Sequence, residues 1–399
     1  MYLKWMFGDG VDLTRTVRKV RLMHIKKILE EMINQGGSDL HLKAGLPPVV
    51  RVDGKLQHLS LERPSPKDLE DIASQILSPS QKERFTKTRE VDFAFGVSGL
   101  ARFRANFYVQ RGSIAMVFRH VPVNIQSVDQ LGLPVVLKEI AMKPRGLIFV
   151  TGTVGSGKST TLTSLVNEIN KTANKNIITI EDPIEFLHHD EKSIINQREI
   201  GSDTSSFHEA LRHILRQDPD VILIGEIRDA LTMEIALMAA DTGHLVFSTL
   251  HTVDATQTIN RVISFFPPHQ HQEIRYLLGA TLVSVIAQRL IPLQGGKGRV
   301  PAVEVMVVTS TIREYIIDPD KTPLITQAIR EGVSSHGMQS FDQSLMKLLS
   351  DGKISMEEAL KNSSNPHEFS LRLKGIQATS DKTWETFEGA GKGGSASDF

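Results

Sequence analysis

The sequence predicts an α/β protein in two parts, an N-terminal α+β domain and then a domain built on a parallel sheet with a helical C-terminal part. Three observations predict it. From about residue 136, buried apolar runs alternate with helix-like stretches, the pattern of parallel strands covered on both faces. One of these runs, GLIFVT at 146–151, leads directly into GTVGSGKST at 152–160, and a helix-like stretch follows from Thr161. Residues 38–120, by contrast, hold short alternating runs separated by turn residues.

Residues 1–22 share no pattern with the rest of the chain, and are either an extension or a segment preceding a true start at Met23. Ile25, Ile28, Leu29, Met32 and Ile33 then recur at helical spacing up to a stop at Gly36-Gly37. The first domain, 23–120, carries strands at 39–43, 49–52, 91–95 and 102–108, with one helix over 66–77. Pro122, Gly132 and Pro134 mark a linker over 121–135. The second domain, 136–375, has strands at 147–151, 177–180, 221–224 and 245–248, a helix ending near 171, and mostly helix over 311–375. The tail, 376–399, is small, polar and expected to be disordered.

Composition excludes several chemistries. There is no cysteine, so disulfides, thiolate metal sites and cysteine nucleophiles are out, which fits a reducing compartment. Lys plus Arg and Asp plus Glu are both 46, so no global field favours nucleic acid. No apolar run approaches the ~20 residues needed to span a bilayer, so direct membrane insertion is not expected. The longest runs, such as 282–287, have the length of a strand or a buried helix segment.

Gly152, Thr153, Val154, Gly155, Ser156, Gly157, Lys158, Ser159 and Thr160 match the phosphate-loop pattern G-x-x-x-x-G-K-S/T in its proper setting, strand before and helix after. Glycines let successive backbone N–H groups converge on phosphate oxygens, and the helix N-terminus adds partial positive charge. Lys158 can reach the β- and γ-phosphates and the Ser159 hydroxyl can ligate Mg²⁺. The chain is expected to bind ATP.

Three further segments supply hydrolysis chemistry. Val221–Ile224 is an apolar strand running into Gly225-Glu226, where an acid would orient Mg²⁺ or the attacking water. Thr179-Ile-Glu-Asp-Pro-Ile-Glu185 is a second strand running into acids, Glu181 and Glu185 among them, which need a cation or arginines beside them. His244 and His251 bracket a third strand, and both are expected at the edge that carries the loops, as γ-phosphate sensors or as structural histidines. No carboxylate falls at metal-ligand spacing around that pair. Arg228 and Asp229 are placed to pair with each other. Arg102, Arg104, Arg111 and Arg119 gather late in the first domain, and strand alternation puts Arg102 and Arg104 on one face with Phe103 opposite. Guanidinium suits phosphate bidentately, and a solvated basic face is the competing reading.

In combination, GTVGSGKST, TIEDPIE, RQDPDVILIGEIRD and TGHLVFSTLHT resemble the Walker A, Asp-box, Walker B and His-box motifs of the secretion ATPases of type II secretion, type IV pili and conjugation. The resemblance covers roughly residues 23–375. It is greatest to the pilus-retraction PilT/PilU group, through Gly-Gly-Ser38-Asp39-Leu-His41-Leu, Phe103-Arg104-Ala-Asn-Phe, Gln110-Arg111-Gly, Phe118-Arg119, Ala328-Ile-Arg-Glu-Gly332 and Gly337-Met-Gln-Ser-Phe-Asp-Gln343. Pilus-assembly ATPases resemble longer chains with a four-cysteine zinc element, and this chain has no cysteine. The group's usual loop is GPTGSGKST, whereas Thr153 and Val154 stand here for Pro and Thr. Neither change removes a backbone N–H.

The resemblance implies a PAS-like first domain and a RecA-like P-loop ATPase core. It implies Lys158 and Ser159 on the β/γ-phosphates and Mg²⁺, and Glu226 as the catalytic acid that polarises water. Glu181 and Glu185 would support Mg²⁺ and water, and His251 would read the γ-phosphate with His244 secondary. Arg104, Arg111 and Arg119 would swing in from the first domain. It further implies a cytoplasmic homo-hexamer, peripheral at the inner membrane, that acts on the pilus platform protein. The alternatives are an accessory subunit of a paralogous retraction ATPase, which would hydrolyse little, and a nucleic-acid-transfer motor. Balanced charge and the lack of a basic, aromatic-rich groove argue against nucleic acid.

Overall fold

The computed structural model describes residues 25–373. The expectations for 1–22 and 376–399 lie outside the described residues. The chain forms two compact units. One runs to Asn124 and takes in Glu185–Leu187; the other comprises Ile125–Ile184 and the chain from His188 onward.

In the first unit, helix α1 (25–34) precedes β1 (Asp39–Lys43), β2 (Val49–Val52) and β3 (Lys55–His58). Helices α2 (Pro66–Ile76) and α3 (Pro79–Thr88) come after them, then β4 (Glu90–Val97), β5 (Ala101–Gln110) and β6 (Ser113–Val121). The strands form one antiparallel sheet in the order β3-β2-β1-β6-β5-β4. Both α2 and α3 start on the same chemistry, a serine N-cap, a proline at the first helical position, and a capping box closed by Asp68 or Gln81. The single helix expected between the strands is thus two. α3 buries no residue, so no apolar stripe marks it in the sequence. The core joins Leu29 and Met32 of α1 to Leu40, Leu42, Phe103, Phe107 and Phe118 of the sheet. Phe107 meets Phe93 and Phe118 edge-on, with ring centroids 5.1 and 5.6 Å away.

The second unit contains α4 (Val136–Ala141), β7 (Gly146–Thr151), α5 (Lys158–Thr172), β8 (Asn176–Glu181), β9 (Ile194–Glu199) and α6 (Phe207–Ile214). β10 (Val221–Ile224), α7 (Ala230–Asp241), β11 (Leu245–Leu250), α8 (Ala255–Ser264) and α9 (His271–Thr281) come next. The chain then forms β12 (Leu282–Pro292), β13 (Arg299–Val307), α10 (Ser310–Ile317), α11 (Ile325–Glu331) and α12 (Val333–His336). The last described elements are α13 (Phe341–Ser350), α14 (Met356–Asn362) and α15 (Pro366–Leu373).

The sheet order is β13-β12-β7-β11-β10-β8-β9. Every pairing is parallel except β12 with β13, so the expected parallel sheet carries one antiparallel edge strand. All residues of β7 and β11 are buried, and alternation sends them to two cores. Leu147 and Phe149 pack among residues of α7–α11, whereas Ile148 and Val150 pack among residues of α4 and α5. A further cluster seats α13–α15 on β12 and β13 through Phe341, Leu345, Ile354 and Phe369. Among the described residues, no helix is long and apolar enough to cross a membrane.

Candidate active site

β7 stops at Thr151, and the loop beyond it turns at Gly157 into α5, whose first residue is Lys158. Gly152 and Gly157 take φ values of +145° and +91°. A Cβ on Gly152 would lie 2.4 Å from the Gln288 carbonyl oxygen, and one on Gly157 would lie 2.6 Å from Gln288 Nε2. Only glycine fits that path. Lys158 is buried and folds back over the loop, Nζ donating to the carbonyl oxygens of Gly152 and Thr153 at 2.9 Å each. Ser159 and Thr160 lie in the first turn of α5, half-buried. Val154 is 88 % exposed, so its departure from the family's loop disturbs no packing.

Strand register decides which of the other candidates share this edge. Ile180, Ile224 and Ser248 are level in adjacent strands, as are Thr151 and Leu250. Glu181, Glu226, His251 and the phosphate loop therefore leave the sheet at the same carboxyl edge, the usual ligand edge of an open α/β sheet. Thr249 Oγ1 donates to the Gly225 carbonyl at 2.7 Å, and Ser248 Oγ to that of Ile224 at 2.8 Å, tying the Glu226 loop to β11. The Glu226 carboxylate sits between two donors: Arg228 Nη2 donates to Oε1, and His251 Nε2 is 3.5 Å from Oε2. The Arg228 hydrogen bond holds Glu226 below the ordinary glutamate range against the opposing effect of partial burial, with the charges of Arg228 and His251 adding to it. Such a carboxylate stays ionised at neutral pH, so it suits orienting and polarising water better than accepting a proton.

Glu181 Oε1 accepts from Thr179 Oγ1 at 2.7 Å and from Gln197 Nε2 at 3.0 Å. Glu185 groups with the first unit. Arg228 does not pair with Asp229 as expected: it engages Glu226, and Asp229 caps α7 by accepting from Thr232 N at 2.8 Å. His244 is a correction too. It precedes β11 whereas His251 follows it, so a six-residue strand, about 20 Å long, separates the two histidines. His244 lies at the amino edge, where Gly146 N donates to its carbonyl and its Nδ1 lies 2.9 Å from the Ala239 carbonyl oxygen.

In the first unit, Arg104 and Arg119 are direct cross-strand partners. Arg111 takes φ +47° beside Gly112 at +77°, in the two-residue turn between β5 and β6. It follows the end of β5, which runs about 20 Å beyond Arg104, so the arginines near in sequence form a pair and a separate tip.

Sequence reasoning missed Gln288. It is 3 % exposed; Nε2 donates to the Ser156 carbonyl at 2.8 Å and Oε1 accepts from Thr161 Oγ1 at 2.7 Å. A polar residue inside the apolar run of β12 is the signal that could have found it, because a buried amide must find partners. A cleft of about 280 Å³ opens beside the phosphate loop, lined by residues 152–156, Val253, Gln288, Arg289, Leu290, Arg299 and Asn362.

Comparison with known proteins gives the family. The family model for type II/IV secretion system proteins matches residues 18–361. The type IV pilus retraction ATPase PilT of Pseudomonas aeruginosa is 45 % identical over 347 residues, 87 % of this chain and 100 % of that protein. The type IV pilus ATPase PilU of the same organism is 37 % identical over 352 residues, 88 % of this chain and 92 % of that protein. The crystal structure of the pilus retraction motor PilT with bound ADP superposes with a TM-score of 0.79 at 45 % identity, covering 86 % of this chain and 97 % of that one. A glycine loop backed by a buried lysine, carboxylates at the same sheet edge and these full-length similarities have one reading: the chain belongs to the type II/IV secretion system protein family, within its PilT family of type IV pilus retraction ATPases.

Proposed function

We propose that the chain is a Mg²⁺-dependent ATP-hydrolysing motor that drives type IV pilus retraction as a homo-hexamer, at the cytoplasmic face of the inner membrane, by acting on the pilus platform protein. The observation that carries the reading is the convergence of Lys158, Glu226 and His251 at one sheet edge, supported by 45 % identity to a retraction ATPase along its whole length. Lys158 would leave the Gly152 and Thr153 carbonyls for the β/γ-phosphates. Glu226 would orient the attacking water, and His251, beside it, would sense the γ-phosphate. Oxygen donors are what Mg²⁺ prefers, and the Ser159 hydroxyl with the Glu181 carboxylate fits that preference; bound there, Mg²⁺ would neutralise developing phosphate charge. Glu185 would assist from its loop. Arg104, Arg111 and Arg119 would act on the nucleotide as the first unit closes, and closure around the ring would convert hydrolysis into displacement.

The test is steady-state hydrolysis by purified protein. Lys158→Ala and Glu226→Gln should each lower kcat by at least about a hundredfold, and Glu226→Gln should still bind ATP. Normal turnover in Glu226→Gln would remove Glu226 from the mechanism. The 37 % identity to PilU supports a second reading, an accessory subunit of a paralogous motor. Negligible turnover by the unmodified protein would favour it.

A further inference from the structure

The signature Ser38-Asp39-Leu-His41 has no part in the proposed hydrolysis mechanism, yet its aspartate occupies a specific place in the first sheet. Direct cross-strand pairings set Arg51 opposite Asp39, Asp39 opposite Arg119, and Arg119 opposite Arg104. Residues directly opposite share a face, so four consecutive strands carry one charged row with a single carboxylate among three guanidinium groups. Arg104 and Arg119 repel each other as cross-strand neighbours, and Asp39 is the group in the row that offsets this.

The contact is oriented. Asp39 is buried, 6 % exposed, and cannot follow a moving partner. Its Oδ2 accepts from Ser38 Oγ at 2.7 Å, and its Oδ1 accepts from Arg119 Nε at 2.8 Å. Burial pushes the Asp39 carboxyl upward, but the bonds from Ser38 and Arg119 with the Arg119 charge outweigh it and hold Asp39 below the ordinary aspartate range. It therefore stays ionised near neutral pH. The Arg119 side chain remains 65 % exposed although its Nε is held. Engagement through Nε alone leaves the two Nη groups, the fork that matches phosphate oxygens, available at the surface.

We infer that Asp39 is a positioning residue for Arg119, fixing the guanidinium by its Nε so that its Nη fork is presented to the nucleotide phosphates already aligned. This rests on the phosphate role proposed for Arg119. The energetic reason is preorganisation: an exposed arginine ordered only on reaching ATP would lose rotamer freedom at that moment, whereas one held by a buried carboxylate has already lost it.

The experiment is a double-mutant cycle on the full chain, with kcat and KM for ATP measured for Asp39→Ala, Asp39→Asn, Arg119→Ala and the double variants, and fold checked by thermal melts. Arg119→Ala should lower kcat by about a hundredfold. Asp39→Ala should lower kcat by roughly tenfold or more, with KM within about twofold, and should add nothing once Arg119 is gone. Asp39→Asn keeps an oxygen for Nε and should recover part of the loss; if the alanine variant does not fold, the asparagine variant carries the cycle. Losses that multiply independently, or an Asp39 variant with unchanged kcat beside a slow Arg119→Ala, would overturn the positioning role alone. Unchanged kcat in Arg119→Ala would overturn the phosphate role of Arg119 and the positioning role of Asp39 with it.

Discussion

Gln288 shows how much one buried side chain can decide. Its amide donates to Ser156 O and accepts from Thr161 Oγ1, while its backbone oxygen limits Gly152 to glycine. It therefore braces both ends of the phosphate loop from a strand that sequence motifs ignore. Gln288→Leu keeps the shape but leaves the Ser156 carbonyl and the Thr161 hydroxyl without their partner, at about 1–3 kcal/mol each. The loop should relax, and the Kd for ATP measured calorimetrically should rise roughly tenfold. Unchanged affinity would mean the loop holds its form without the amide. At the same scale, Glu226 explains why the site keeps an arginine and a histidine close together: both favour its ionised form.

At the scale of elements, the contact between β13 and α8 has a measurable consequence. Glu304 of β13 is buried and accepts from Ala255 N, at the start of α8, at 2.8 Å. Burial pushes its carboxyl up to about 7; the Ala255 bond opposes this, Asp254 and Asp342 reinforce it, and Arg289 opposes it. Folding thus takes up a proton, so stability is fullest below the ordinary glutamate value of 4.5 and falls as pH rises toward 7. Glu304→Gln retains an acceptor for Ala255 and cannot ionise. Its denaturant unfolding should match the unmodified protein below pH 4.5 and exceed it above pH 7 by on the order of 3 kcal/mol. Parallel pH profiles would refute this. Other elements mark the limits of sequence reading. Four of the seven strands of the second unit, β7, β8, β10 and β11, were legible because they are buried along most of their length and run into motifs. α3 was not, because its first-turn caps operate without an apolar stripe. β9 was not, because it buries only Glu199 of its six residues, and neither were β12 and β13, which lead into no motif. Glu226 and His251 could be placed from the strands that precede them, and the same rule puts His244, which precedes β11, at the opposite edge. Gln288 and Glu304 act on distant segments, and spacing in the chain carries no trace of those pairings.

At the scale of the whole molecule, the proposed ring makes activity depend on assembly. If residues of the first unit act on nucleotide only within a hexamer, specific ATPase activity should rise with protein concentration along with the hexamer fraction measured by light scattering. A monomer with full activity would contradict the ring. In the proposed motor, Glu226-dependent hydrolysis powers retraction. The most direct test is pilus number and twitching in cells whose only copy of this gene carries Glu226→Gln. Many static surface pili and no twitching are expected, both reversed by the unmodified gene. Bald cells would instead assign the chain to pilus assembly, and undisturbed twitching would remove Glu226 from the motor.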